Sequence, residues 1–113
     1  MAITAENYGH AVVLNLKGEL AEDTLGAFRQ AVQHQLENDE VVDVILNMEE
    51  VVTMDSAALE YLLDLQDRLS EKFGQVRLAK CEETLRKILE ITRLTGEFEI
   101  FDDVSEAVKV IQA

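Results

Sequence analysis

The sequence has no proline, one cysteine and only ten lysine and arginine residues among its 113 residues. Without proline, without a glycine- or serine-rich tract and without a repeat, it contains no recognisable linker between domains. One cysteine cannot form an internal disulfide, and neither a signal peptide nor an apolar run of about 20 residues is visible. We therefore expect a single domain over residues 1–113, located in the cytoplasm and not inserted into a membrane.

Acidic side chains dominate the charge, because 23 Asp and Glu residues against ten Lys and Arg residues give a formal net charge of −13. Nucleic acids and anionic membrane surfaces attract clustered cations, so neither is expected as a partner. Residues 1–67 hold 14 of the acidic side chains but only two of the basic ones. Such an uneven surface can select a protein partner, although it can equally serve solubility alone.

Hydrophobic residues make up 48% of the chain, which is enough to bury a core despite the net charge. Alternating and helical spacings of these residues predict the element order β-β-α-β-α-β-α-β-α. The predicted strands cover residues 3–7, 11–17, 41–48, 75–79 and 98–101. The predicted helices run from residue 23 or 24 to about 38, from 55 to about 73, from 82 to 94, and from 102 or 103 through 111.

Strands that alternate with helices imply parallel pairing, so we expect an α/β domain with a mostly parallel sheet and about four helices. The turn Tyr8-Gly9-His10 joins the first two strands as a hairpin, which makes the first strand an antiparallel edge. Residues 41–48 are almost continuously apolar, as expected for a central strand covered on both faces. Their polar members, Asp43 and Asn47, then need strand-end positions or hydrogen-bond partners.

Two glycines and one loop are predicted to mark the ends of elements. Gly18 should end the second strand, and residues 49–54 should form a loop before the second helix. Gly74 stands where a left-handed C-terminal cap is expected for that helix. In the third helix, the spacing predicts that Ile91 is among the inward-facing apolar residues.

Sequence motifs for catalysis and for cofactor binding are absent. Neither a dinucleotide-binding glycine pattern nor a phosphate-binding loop occurs, and His10 and His34 lack metal-ligand spacing with each other or with Cys81. Cys81 lies at the start of a predicted helix, where the dipole favours a thiolate, although an ordinary partly buried thiol is the simpler interpretation. We expect no cofactor, no metal and no enzymatic activity. A small enzyme that uses Cys81 or a pair of carboxylates is the remaining alternative.

One segment, MDSAAL at residues 54–59, combines features that suit contact with another macromolecule. Asp55 and Ser56 stand at the start of a long amphipathic helix, after the buried strand and its loop. Ala57 and Ala58 follow with almost no side-chain bulk, so a partner can approach closely. The competing interpretation is structural, because Asp and Ser are preferred residues for capping a helix N-terminus.

The run LNMEEVVTMDSAALEYLL, residues 46–63, resembles the signature of the STAS domain of bacterial anti-sigma factor antagonists. Those proteins carry Asp-Ser, a second hydroxyl residue, Gly and Leu or Ile at the start of their second helix. The stretch LKGELAEDTL, residues 16–25, is similar to their Gly-Glu-Leu-Asp segment, and the order of elements also matches over essentially the whole chain. The departures are Ala57 for the second hydroxyl, Ala58 for the glycine and Ala21 for the aspartate.

The resemblance implies a non-enzymatic switch. In such antagonists, the serine after the motif aspartate is phosphorylated by a partner that is both a serine kinase and the anti-sigma factor. The unphosphorylated form binds this partner and frees the sigma factor, and a serine phosphatase resets the cycle. Ser56 is the matching phosphoacceptor. The positions matched to the partner-binding surface are Asp55, Ala57, Ala58, Gly18, Glu19 and Thr24.

Acidic side chains are expected to surround this surface and to favour a partner with Arg and Lys on its face. These side chains are Glu19, Glu22, Glu49, Glu50 and Glu60. Some STAS domains use the fold without a kinase cycle, so the alternative function is an unphosphorylated binding subunit of a larger assembly. Lipid-transport ATPases and stress-signalling complexes are examples of such assemblies.

Overall fold

Five strands and four helices follow one another in the predicted order. The computed structural model describes residues 1–112. The strands are β1 (Ala2–Tyr8), β2 (Ala11–Leu20), β3 (Asp43–Met54), β4 (Val76–Ala79) and β5 (Glu99–Phe101). The helices are α1 (Leu25–Leu36), α2 (Ser56–Ser70), α3 (Glu83–Ile91) and α4 (Val104–Gln112), and a short 3-10 helix (Thr95–Glu97) precedes β5.

The strands form one sheet in the order β1-β2-β3-β4-β5, which makes β3 the central strand. β1 pairs with β2 antiparallel, whereas the other three pairs of neighbours are parallel. Tyr8 pairs with Ala11, so Gly9 and His10 form a two-residue turn in which Gly9 adopts a φ of 63°. The predicted α/β fold, with its mostly parallel sheet, antiparallel N-terminal edge and four helices, is confirmed.

The two faces of the sheet carry cores of different size. On one face, alternate strand residues such as Leu14, Leu46 and Leu78 pack in the main core with α1, α2 and α3. On the other face, a smaller cluster joins Ile45 to Ala107 of α4. A fully buried leucine contributes about 2 kcal/mol of transfer free energy, so the main core supplies most of the hydrophobic stabilisation.

The polar residues of the central strand find partners, as predicted. The Oδ1 of Asp43 accepts hydrogen bonds from the backbone N–H of Gln75 at 2.9 Å and from the guanidinium of Arg77 at 2.7 Å. The side-chain amide of Asn47 donates to the Oδ1 of Asn15 on β2 at 2.8 Å. These bonds offset the desolvation of polar groups at the middle of the sheet.

β2 and β3 extend further than predicted, so the expected end of β2 at Gly18 and the expected loop at residues 49–54 are both wrong. Gly18, with a φ of 116°, lies where the register between β2 and β3 shifts, and a residue without Cβ tolerates that backbone. Beyond the shift, Leu20 pairs with Met54, and both side chains are buried. Pairing and burial therefore continue where the sequence pattern becomes irregular.

The glycine after α2 has a different role from the predicted left-handed cap. Phe73, not Gly74, adopts the left-handed conformation, with a φ of 64°. Gly74 donates its N–H to the carbonyl of Leu69 at 2.8 Å and lies directly against the backbone of Val42. A Cβ at Gly74 would lie 1.7 Å from the Val42 carbonyl oxygen, so close approach of two backbones requires this glycine.

Ile91 is 80% exposed, so its predicted inward position is wrong. Leu85 and Leu89 are the buried residues of α3. Ile91 follows Leu89 by two residues, a rotation of about 200° around the helix axis, which places it on the outer side. The helix ends there, three residues earlier than predicted.

Candidate functional site

β2 and β3 end side by side, which brings the two motif segments together. Because the strands are parallel and Leu20 pairs with Met54, their C-terminal ends meet at one edge of the sheet. From this edge, β2 continues into a loop at residues 21–24 that leads to α1, and β3 continues directly into α2. The loop and the helix start are therefore neighbours although they are far apart in sequence.

Asp55 binds both segments through its carboxylate. It is the N-cap of α2, with extended backbone angles, and its Oδ1 accepts the N–H of Ala58 at 2.9 Å. Its Oδ2 accepts the N–H of Glu22 in the β2–α1 loop at 2.9 Å, and its own N–H donates to the carbonyl of Leu20 at 3.2 Å. We call the two bonds to the carboxylate the Asp55 clasp.

The same bonds set the charge state of Asp55. The hydrogen bond from the Ala58 N–H, followed by that from the Glu22 N–H, lowers the pKa of Asp55 below its ordinary value of 3.8. The carboxylate is therefore ionised at neutral pH, and its negative charge lies next to Ser56. The sequence predicts that Asp55 caps the helix, but it does not predict the bond to Glu22. The only indication of that bond in the sequence is that both motif segments are present.

The residues that follow Asp55 differ sharply in exposure. Ser56, the first residue of α2, is exposed, and Ala57 is half-buried. Ala58 is completely buried in the main core, so its side chain offers no surface to a partner. Its contribution to the site is the backbone N–H that Asp55 binds.

Thr24 occupies the N-cap position of α1, one of the two positions that the sequence offers for the cap with Asp23, but its hydroxyl makes no capping hydrogen bond and instead organises the β2–α1 loop. It donates to the carbonyl of Glu19 at 2.7 Å and accepts the N–H of Ala21 at 3.0 Å. The side chain of Glu19 is exposed, whereas Gly18 is half-buried within β2, before the loop. Thr24 thus holds the loop in the shape that presents the Glu22 N–H to Asp55.

The expected acidic rim is only partly present. Glu22 is exposed in the β2–α1 loop, and Glu60 is exposed one turn after Ser56 on α2. Glu49 and Glu50 lie instead in the body of β3, where they line an open cavity of about 300 Å³ on the sheet. Their expected place near the helix start is wrong, because residues 49–54 continue the strand.

Cys81 does not have the character of a reactive thiol. It is buried and precedes the first residue of α3 by two positions, so it is not at the helix start itself. Burial raises the pKa of the Cys81 thiol to about 11, although the charge of Arg86 lowers it in part. The thiol is therefore protonated at neutral pH, which disfavours the alternative of an enzyme that uses it.

The part of the chain that the structure describes contains neither a metal-binding cluster nor a membrane-spanning helix. Within residues 1–112, no three or more His, Cys, Asp or Glu side chains are placed to hold a metal ion together. Over the same residues, no helix combines the length and the apolar character that crossing a membrane requires.

Comparison with known proteins identifies the fold. The sequence profile of the STAS domain matches residues 2–107. A candidate anti-sigma factor antagonist from Thermotoga maritima is 22% identical with a TM-score of 0.88, and the match covers 98% of this chain and 95% of the other. The anti-sigma factor antagonist SpoIIAA in its unphosphorylated form is 23% identical with a TM-score of 0.78, and 99% of each chain is covered.

Two more structures extend the comparison. The phosphorylated form of the Bacillus protein SpoIIAA is 24% identical with a TM-score of 0.75, covering 97% of this chain and 99% of the other. The murine anion transporter solute carrier 26 family member A9 is 17% identical with a TM-score of 0.80, covering 95% of this chain and 18% of the transporter. At these identities, the likeness establishes a shared fold.

Proposed function

We propose that this chain, which belongs to the STAS domain family, is an anti-sigma factor antagonist in a bacterial partner-switching pathway in the cytoplasm. Its partner is an anti-sigma factor that is also a serine kinase and phosphorylates Ser56, and a serine phosphatase removes the phosphate. The observation that carries the proposal is the exposed Ser56 at the first residue of α2, next to the carboxylate that joins both motif segments. The protein itself catalyses no step of this cycle.

The contact surface of the unphosphorylated protein is formed by Glu22, Ser56, Ala57 and Glu60, which we call the helix-start surface. No bulky side chain projects from this surface at Ser56 and Ala57, because the first side chain is small and the second is only a methyl group. Glu22 and Glu60 are exposed and acidic, which favours a partner with Arg or Lys on its face. Asp55 fixes the loop against the helix, so the partner meets one continuous surface.

Phosphorylation acts on this surface by repulsion and not by unfolding. A phosphate at a helix N-terminus is stabilised by backbone N–H groups and by the helix dipole, so the modified protein stays folded. It adds a charge of about −1.5 to −2 beside the ionised Asp55 and near Glu60. A partner fitted to the bare Ser56 hydroxyl would have to bury this charge without a counterion, and it is therefore released.

The test compares wild-type protein, Ser56→Ala and Ser56→Asp, with the anti-sigma kinase of the same organism as the binding partner. Ser56→Ala should bind like wild type but gain no phosphate by intact-mass measurement after incubation with the kinase and ATP. Ser56→Asp should keep its thermal unfolding temperature and bind at least about tenfold more weakly, because a carboxylate mimics part of the phosphate charge. The matched control is Ser105→Asp, since Ser105 is exposed at the second residue of α4.

Equal affinity of wild type, Ser56→Ala and Ser56→Asp would contradict the proposal. So would a Ser56→Asp protein that loses binding only because it unfolds, or a phosphate found at another residue. An equal loss of binding in Ser105→Asp would assign the effect to net charge and not to the helix-start surface.

The second candidate function is a binding subunit of a larger assembly, such as a lipid-transport ATPase or a stress-signalling complex, without phosphorylation. Two observations favour it: the shared fold with part of an anion transporter, and Ala57 in place of the second hydroxyl of the family motif. Under this function, protein isolated from its native cell carries no phosphate, and changes at Ser56 leave the assembly intact.

A further inference from the structure

The hydroxyl of Tyr61 on α2 is buried and has no hydrogen-bond partner within residues 1–112. Tyr61 is 8% exposed, and its ring packs edge-on against Phe28 of α1 with centroids 5.5 Å apart. Buried polar groups are nearly always hydrogen-bonded, because leaving one unpaired loses its hydration without compensation. This hydroxyl therefore calls for an explanation that packing between α1 and α2 does not supply.

Two arginines flank the same tyrosine. The guanidinium carbon of Arg29 on α1 lies 5.2 Å from the centre of the Tyr61 ring. Arg68 follows Tyr61 by seven residues, which places it on the same side of α2 about two turns further along. Both arginines are exposed, and the six ion pairs found among residues 1–112 include neither of them.

That neither arginine has a carboxylate partner within residues 1–112 is unexpected for so acidic a protein. The sequence has 23 acidic residues, and Arg29 is one of only two basic residues before Arg68. Burial raises the pKa of Tyr61, and the charges of Arg68 and Arg29 lower it in part, so the phenol keeps its proton at neutral pH. The α1–α2 interface thus places a buried O–H donor near two exposed cationic side chains.

We propose that Arg29, Tyr61 and Arg68 form a binding site for one oxyanion, either a carboxylate side chain of a protein partner or a free phosphate. An oxyanion can accept the Tyr61 O–H and guanidinium N–H groups at once, and such charge-assisted hydrogen bonds are short and strong. Arginine side chains are flexible and these two are exposed, so they can open over the hydroxyl and close on the ligand. The site goes beyond the proposed function, since it does not involve Ser56.

The net negative charge of the protein distinguishes a specific anion site from general attraction of anions. A net charge of −13 repels anions on average, so only local geometry can produce saturable anion binding. If anion binding depended only on the net charge, removal of any arginine or lysine would weaken it, whatever its position. Removal of a matched arginine that lies away from Tyr61 separates these two cases.

The experiment titrates the purified protein with inorganic phosphate and, separately, with a capped tetraglutamate peptide, at constant ionic strength. The side-chain Nε–H resonances of Arg29 and Arg68 are followed by NMR, and we expect saturable shifts at both. In a Tyr8→Phe background, Tyr61 is the only tyrosine of a chain without tryptophan, so its fluorescence gives a second readout. Phosphate alone identifies a free anion as the ligand, the peptide alone identifies a partner carboxylate, and either result supports the site.

Variants test whether the anion binds at Arg29, Tyr61 and Arg68. Arg29→Gln and Arg68→Gln should each weaken anion binding by about tenfold, as loss of one charge-assisted hydrogen bond implies. Tyr61→Phe should weaken it too without lowering the thermal unfolding temperature, because the removed hydroxyl has no hydrogen-bond partner among residues 1–112. Arg93→Gln, which removes an exposed arginine after α3, should bind like wild type. Absence of saturable shifts with both probes, or an equal loss in Arg93→Gln, would overturn the proposal while leaving the Ser56 experiment unaffected.

Discussion

At the scale of single residues, Asp55 joins the stability of the domain to the geometry of its candidate site. Its two oxygens accept N–H groups from different segments. An ionised acceptor at a helix start also interacts favourably with the helix dipole. Protonation removes the charge and one acceptor position, so the clasp weakens when Asp55 binds a proton.

We expect Asp55→Asn to lower the thermal unfolding temperature by about 5 °C at pH 7, since an amide cannot accept from both segments. The folded pKa of Asp55 is below the ordinary 3.8, so its contribution is complete above about pH 4 and is lost as the pH falls through the folded pKa. The difference between wild type and Asp55→Asn should therefore shrink as the pH falls below about 4, measured by circular dichroism. Asp23→Asn in the same loop is the control and should match wild type throughout. A difference that does not change with pH would contradict the prediction.

At this scale, the sequence predicts the roles of residues that depend only on their neighbours along the chain. Asp55 is recognisable as a cap because its role depends on the three residues that follow it. Its bond to Glu22 spans 33 residues, and the contact between Arg29 and Tyr61 depends on how two helices pack. Hydrophobic periodicity specifies which face of a helix is buried but not which polar groups meet across the interface.

At the scale of elements, close approach between backbones decides where α2 ends and β4 begins. Gly74 lies against the backbone of Val42, just before β3, and its N–H closes the end of α2 on Leu69. Overpacking at such a position forces the backbone itself to move, because no flexible side chain can yield. The helix end and the central strand are therefore coupled at one residue.

Gly74→Ala should lower the free energy of unfolding by about 3 kcal/mol or prevent folding, because the new Cβ would meet a carbonyl oxygen at 1.7 Å. Gly26→Ala in α1 is the matched control, since a Cβ there meets nothing within 4 Å. It should raise the free energy of unfolding by about 0.5–1 kcal/mol, as expected for Gly to Ala in a helix. Urea unfolding measures both, and a Gly74→Ala protein as stable as wild type would show that the two backbones separate at little cost.

The sequence predicts the type and order of every strand and α-helix, but not the short 3-10 helix before β5 and not all of the ends. Apolar periodicity identifies the helices, and a nearly continuous apolar run identifies the central strand. The continuation of β3 through residues 49–54 depends on pairing with β2, which a pattern within one segment cannot indicate. Gly74 is recognisable as special, yet its neighbour in space, Val42, is known only from the folded sheet.

At the scale of the whole molecule, the charge acts over a distance comparable with the protein itself. The molecule measures 32 × 27 × 24 Å along its principal axes. The Debye length is about 30 Å at 10 mM salt and about 8 Å at 150 mM. At low salt, carboxylates on opposite sides of the domain therefore repel one another, and this repulsion opposes the compact state.

The thermal unfolding temperature at pH 7 should rise between about 10 mM and 150 mM sodium chloride, because salt screens this repulsion. The double variant Glu71→Lys and Glu90→Lys reverses two exposed charges near helix ends, where cations are favourable. Its unfolding temperature should depend less on salt than that of wild type, which carries a net charge of −13. Differential scanning calorimetry compares the two, and identical salt dependence would show that the net charge is not responsible.

The Asp55 clasp also affects how such a protein can evolve. Two bonds share one carboxylate, so a substitution in the β2–α1 loop changes the effect of a substitution at the start of α2. The two segments are therefore epistatic although they are far apart in the gene. A lineage that acquires a new partner has to inherit loop and helix start as a matched pair. Recombination that exchanges both segments between two such proteins keeps a matched loop and carboxylate, whereas a crossover between them joins a loop shape and a helix start that were not selected together.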